Sequence, residues 1–105
     1  MTFRNEKIGE IVRDLAARFL EQEGNKSSII TVTNVELSKD AKYATIFYTV
    51  FPENFEKTSL EFAKRKRSDF KKFVRDNSSL GRLPFFDFAI DYGEKNRQNI
   101  DKLLN

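Results

Sequence analysis

Apolar residues at Ile8, Ile11, Val12, Leu15, Ala16 and Phe19 recur at helical spacing. The stripe they draw predicts an amphipathic helix from Arg4 to about Gly24, with Gly24-Asn25 as its stop. Beyond the polar turn Asn25-Lys26-Ser27-Ser28, the run from Ile29 to Leu37 is rich in β-branched residues and reads as a strand. Ile30 and Val32 share one parity while Val35 and Leu37 share the other, so one extra residue near Thr33 to Asn34 predicts a β-bulge. Ser38-Lys39-Asp40-Ala41 forms a turn, after which Ala44, Ile46, Tyr48 and Val50 alternate with Thr45 and Thr49 in a second strand. So short a connection makes the pair an antiparallel hairpin.

Pro52 ends the second strand, and a helical stretch follows from about Phe55 to Ser78. On a straight helix, at about 100° per residue, Leu60, Ala63, Phe70 and Val74 share one arc with Phe62 and Phe73 at its edge, but Lys66 and Arg67 fall inside it. Burying two unpaired charges costs several kcal/mol, so an interhelical kink near Lys66 to Ser68 is expected, with Ser68 able to cap the second helix. After the loop 78–82, the segment Leu83 to Tyr92 alternates Phe86, Phe88, Ile90 and Tyr92 against Asp87, Ala89 and Asp91, which predicts a third strand. The tail, about 93–105, is polar until Ile100, Leu103 and Leu104, whose spacing suits one short helix docked on the body or fraying from it. The predicted order is α-β-β-α-α-β with that possible terminal helix: an α+β fold whose three-stranded sheet is covered by helices on one face.

Length and composition narrow the picture further. With 105 residues, no repeat and eleven Phe, the chain is expected to fold as one domain spanning 1–105. Cysteine and histidine are both absent, which removes disulfides, thiolate metal sites and the side chain most used for proton transfer near neutral pH. Gly9, Gly24, Gly81 and Gly93 are too far apart to form a phosphate-cradling loop, and Glu53, Glu56, Asp87 and Asp91 have ordinary roles at helix starts or solvent-facing strand positions. No catalytic residue, metal, cofactor or small-molecule substrate is therefore expected. The N-terminus lacks the apolar core of a signal peptide and no apolar run approaches the roughly 18 to 20 residues of a membrane span, so a cytoplasmic protein with no membrane partner is expected.

Charge is distributed unevenly. Between Lys64 and Arg82 lie Lys64, Arg65, Lys66, Arg67, Lys71, Lys72, Arg75 and Arg82, opposed only by Asp69 and Asp76, so this stretch carries +6 while the whole chain carries +3. Lys64, Lys71 and Arg75 share one helical face with Arg65 and Lys72 beside them, a stripe suited to a row of phosphates. These eight cations are the candidate RNA-binding residues, and the plain alternative is a solvated helix face. On the first helix, Glu6, Glu10 and Asp14 alternate with Arg4, Lys7 and Arg13 and are expected to pair with them locally. Phe47, Phe51 and Phe85 occupy the strand parity opposite the proposed core and are expected to be exposed, as a partner surface would require.

Several strings together resemble the ribosome-binding factor A family over nearly the whole chain, from Ile8 to about Leu104. They are Ile30-Thr31-Val32-Thr33-Asn34-Val35-Glu36-Leu37-Ser38-Lys39-Asp40, Ala44-Thr45-Ile46-Phe47-Tyr48-Thr49-Val50 and Gly81-Arg82-Leu83-Pro84-Phe85-Phe86-Asp87-Phe88. The resemblance implies a type II KH-like domain in which an interhelical kink with an Ala-x-Gly signature replaces the glycine-rich clamp. At the matching positions this sequence has Lys66-Arg67-Ser68, with neither small residue. It further implies an RNA-binding ribosome biogenesis factor, not an enzyme, that binds the free small ribosomal subunit. Such a factor assists late maturation of the small-subunit rRNA near its 5′ end, matters most in the cold, and is monomeric when free. The competing reading is a protein-interaction adaptor that uses the sheet edge or the exposed Phe residues, its basic helix merely solvated.

Overall fold

The computed structural model describes residues 3–104, and their side chains over 4–100. The elements are α1 (Phe3–Glu23), β1 (Ile29–Leu37), β2 (Tyr43–Phe51), a 3-10 turn at Glu53–Phe55, α2 (Glu56–Arg65), α3 (Arg67–Asn77), β3 (Phe85–Ile90) and α4 (Tyr92–Leu104). The sheet order is β1-β2-β3, with β1 antiparallel and β3 parallel to the central β2. A hairpin supplies the first pairing, and the helical crossover through α2 and α3 supplies the second, as parallel strands require.

The expected bulge is present, between Val32 and Asn34. It rephases β1 so that Val32 and Val35 both point to the buried face. On that face Ala44, Ile46, Tyr48 and Val50 of β2 and Phe86, Phe88 and Ile90 of β3 meet Val12, Leu15, Ala16, Phe19 and Leu20 of α1 and Ala63, Phe70 and Val74 of α2 and α3. Phe70 is the hub: its ring lies 5.3 Å from Phe19, 4.9 Å from Phe86 and 5.6 Å from Phe88 between centroids, so one side chain ties α3 to α1 and β3. The one buried phenol, Tyr48, shares a hydrogen bond of 2.9 Å with Ser59, whose hydroxyl also donates to the Glu56 carbonyl at 3.0 Å. Burial pushes that phenol's pKa up, which keeps it neutral in the core. On the opposite face Phe51 and Phe85 are exposed as expected, while Phe47 is half-buried.

Three expectations need correction. β3 stops at Ile90, and Tyr92 is exposed at the start of α4 instead of continuing the buried parity. Asp91 causes the change: its carboxylate accepts the Glu94 N–H at 3.0 Å and the Thr33 hydroxyl, capping α4 and pinning the strand end to β1. α4 runs for 13 residues, longer than the short helix expected, and it does not join the other helices over the core. It borders the opposite face, where Lys95, Gln98 and Asn99 line a shallow cleft with Ile29, Thr31, Thr49 and Phe51, and Lys95 is paired with Glu56 at 2.9 Å and Glu53 at 3.6 Å. Ile100 is exposed, while the side chains of Leu103 and Leu104 lie outside the described residues. Third, the local ion pairs expected along α1 do not form: among the described residues no bridge links Arg4, Lys7 or Arg13 to Glu6, Glu10 or Asp14.

Phe70→Ala is expected to cost about 3 to 5 kcal/mol in urea unfolding, because it removes a ring and leaves a cavity shared by three elements. Phe51→Ala, at an exposed position, is expected to stay within about 0.5 kcal/mol of the parent. Equal effects of the two would contradict this core.

Candidate nucleic-acid interface

The kink between α2 and α3 forms at Lys66, whose φ of −95° and ψ of 8° leave helical geometry for a single residue. Its N–H is shared between the carbonyls of Phe62 and Ala63, each at 3.1 Å, and its carbonyl accepts the Phe70 N–H at 2.8 Å, so both polar groups of the bend residue stay in the helical ladder. Ser68 does not cap the second helix; it lies inside α3, and Lys66 occupies the boundary with no side-chain cap. The bend therefore forms without the Ala-x-Gly pair.

What holds the bend is a clasp on the outer edge of β3. Asp87 has the strand parity that faces away from the core. Lys64 reaches it with an Nζ–Oδ1 distance of 3.0 Å and Arg67 with an Nη1–Oδ1 distance of 3.3 Å. Arg67 Nε also donates to the Lys64 carbonyl at 3.1 Å, and its guanidinium stands 5.5 Å from the Phe85 ring centroid. One arginine thus closes the last turn of α2, binds the strand and covers an aromatic ring. Partial burial pushes the Asp87 carboxyl up, but the Lys64 hydrogen bond, the Phe88 N–H at 2.8 Å and the charges of Lys64 and Arg67 outweigh it and hold the group below its ordinary value of 3.8.

The eight candidate cations consequently divide. Lys64 and Arg67 are engaged by Asp87, and Lys66 pairs with Asp69 at 3.6 Å while its ammonium lies 5.9 Å from the Phe62 ring centroid. Arg65, Lys71, Lys72, Arg75 and Arg82 have no ion pair among the described residues. On α3, Lys71, Arg75 and Lys72 fall within an arc of about 100° that lies away from Phe73, the residue packed on Phe19 of α1 at 5.4 Å. Arg65 stands at the last turn of α2, beside a groove that also takes in Glu23, Gly24 and Phe62. The expected stripe is divided: Lys71, Lys72 and Arg75 share one side of α3, while Lys64, expected on the same face, is engaged by Asp87.

Arg82 lies elsewhere, in a cleft of about 460 Å³ shared with Arg4 and Asn5 of α1 and with Lys39, Asp40 and Lys42 of the β1–β2 turn. That turn is tightly built. Asp40 accepts from the Ser38 hydroxyl at 2.7 Å and the Lys42 N–H at 3.1 Å, which lowers its pKa, and Ala41 takes a left-handed φ of 58°. Lys39 and Lys42 were missed as candidates because they are scattered along the chain, and Arg4 was set aside because the acidic residues of its own helix were expected to pair with it. The usable signal was the Ser38-x-Asp40 turn with a lysine on either side of Asp40. Among the described residues no group of acidic side chains stands close enough to hold a metal ion, and no helix is long and apolar enough to cross a membrane.

An α-β-β-α-α-β core with a mixed three-stranded sheet, a bent helix pair and a basic outer helix face defines a KH-like protein of the second topological type. The family model described as ribosome-binding factor A matches residues 4–104, so the chain belongs to that family. It is 29% identical to ribosome-binding factor A of Macrococcus caseolyticus over 98% of this chain and 96% of the relative. The crystal structure of ribosome-binding factor A from Thermus thermophilus superposes with a TM-score of 0.72 at 20% identity, over 81% of this chain and 92% of the other. A second Thermus thermophilus structure, a homology model of ribosome binding factor A fitted into the cryo-EM map of a 30S complex, superposes with a TM-score of 0.66 at 21% identity, over 75% of this chain and 86% of the other.

Because the folded pKa of Asp87 is depressed, the stability it supplies is fully present above 3.8 and is lost as pH falls through the lower folded value. Asp87→Asn is therefore expected to lower neutral-pH stability by no more than about 1 kcal/mol, since the clasp is partly exposed, and to flatten the fall of stability with acid. Denaturant melts between neutral pH and pH of about 3 check it. A variant curve parallel to the parent's would remove the clasp.

Proposed function

We propose that this chain binds the free small ribosomal subunit as a single KH-like unit and assists late maturation of its rRNA, including the 5′ end, by contacting rRNA phosphates through the outward face of the bent helix pair. The observation that carries the reading is the arc of Lys71, Lys72 and Arg75 on α3, three cations without a carboxylate partner among the described residues. Membership in a family described by ribosome binding supports it, as does a fold neighbour placed on the 30S subunit. Such a surface reads phosphate position and helix shape, not base identity. Lys64 and Arg67 contribute by orientation: they hold the bend that aims α3 outward, and they share the single carboxylate of Asp87. The protein acts as a monomer in the cytoplasm, and its work is binding without turnover.

Replacing Lys71, Lys72 and Arg75 together by Glu is expected to abolish co-sedimentation with small subunits while leaving the thermal melt nearly unchanged. For single Lys71→Ala or Lys72→Ala variants, the dependence of log affinity on log salt is expected to become shallower by about one unit per lost phosphate contact. Undiminished co-sedimentation of the triple variant would refute the surface.

A further inference from the structure

The face of the sheet turned away from the core is not uniform. At its β1-start and β2-end, Phe51 and Ile29 are bordered by α4 and by Glu53 and Glu56, an acidic margin only partly offset by Lys95. At the other end the chemistry reverses. Tyr43 and Phe85 are direct register partners on β2 and β3, 61% and 55% exposed, with ring centroids 6.3 Å apart in an edge-to-face arrangement. Arg67 stands over the Phe85 ring, and the Phe85 N–H donates to the Lys42 carbonyl at 2.8 Å, which fixes the pair next to Lys42 in the basic cleft that holds Arg82. The carboxylates near this end are Asp87, engaged by Lys64 and Arg67, Asp40, which accepts from the Ser38 hydroxyl and the Lys42 N–H in the cleft, and Glu36, opposite Thr45 on the adjacent strand β1.

Two exposed rings held rigidly by strand pairing, with a guanidinium on one and cations on both flanks, match what unpaired nucleotides require. Bases stack on aromatic faces whatever their identity, and phosphates settle on neighbouring cations. A protein partner would find here an aromatic pair ringed by cations already partly desolvated. A second copy would bring like charge against like charge.

From this arrangement, and resting on the rRNA-binding reading above, we infer that Tyr43 and Phe85 form a stacking platform for one or two bases of a single-stranded RNA segment, with Arg67 clamping the base edge and Lys42 and Arg82 taking the adjacent phosphates. The bent helix pair then holds structured RNA while the sheet face beside it holds a strand that leaves the structure.

The test uses the full chain with two fluorescent probes, a uridine-rich 12-nucleotide single strand and a blunt RNA duplex of matching length, read by anisotropy. The double variant Y43A/F85A is expected to weaken single-strand binding by tenfold or more, with duplex binding changed less than twofold. Y43L/F85L, which keeps apolar bulk but removes the π faces, is expected to show the same loss, and Y43F/F85Y to retain parent affinity. Both rings are exposed, so these variants keep the fold, as a melt would verify. Parent-like single-strand affinity in the alanine variant, full affinity in the leucine variant, no single-strand binding by the parent, or a dimer in sedimentation that the substitutions abolish would each overturn the platform. The K71E/K72E/R75E protein runs in parallel. If it binds the duplex like the parent, the helical rRNA surface fails on its own account, separately from the stacking result.

Discussion

Phe70 and Arg67 are three residues apart, yet one is the most connected ring of the core and the other a charge that must stay in contact with water. On α3 the two stand about 60° apart, so Arg67 sits at the margin of the buried face and can reach Asp87, while the bend at Lys66 frees this helix from the line of α2. It lets α3 roll its apolar edge onto Phe19, Phe86 and Phe88 while Arg67 swings round the edge of β3 to Asp87. The remainder of the molecule follows from that constraint. The parallel placement of β3, the outward placement of Lys71, Lys72 and Arg75, and the position of Phe85 under a guanidinium all depend on where the helix pair turns.

The same bend explains how this family member dispenses with small residues at the turn. A Gly would ease the bend through backbone freedom. Here the Lys66 N–H shared between two carbonyls, and the Asp87 clasp outside, hold a lysine in a conformation any residue can adopt. The charges that make the stretch from Lys64 to Arg82 look uniformly basic thus do two kinds of work. Three are tied to carboxylates, two of them to Asp87 beside the bend; the other five have no carboxylate partner among the described residues.

Much of this architecture was legible in residue order. The bulge was visible because Val32 and Val35 change parity, and the kink because Lys66 and Arg67 intrude on an apolar arc; both signals are periodicities, which depend only on neighbours along the chain. What escaped depended on contacts distant in sequence. Asp87 read as a solvent-facing strand residue, and nothing local marks it as the partner of residues 23 and 20 positions earlier. Asp91 likewise read as strand until its bonds to Thr33 and Glu94 revealed a helix cap, although the Asp91-Tyr92-Gly93-Glu94 spacing carried that signal. The Arg4, Lys39, Lys42 and Arg82 cleft joins three segments, and only its Ser38-x-Asp40 turn has a linear signature.

Lysine footprinting tests the central claim most directly. The protein is acetylated briefly, free and on small subunits, and each lysine is quantified by mass spectrometry. Lys71 and Lys72 are predicted to be protected on the subunit while the exposed Lys7, Lys26 and Lys57 keep the reactivity of the free chain. Protection of Lys26 and Lys57 with Lys71 and Lys72 still fully reactive would contradict the account, because α3 would then face solvent in the complex.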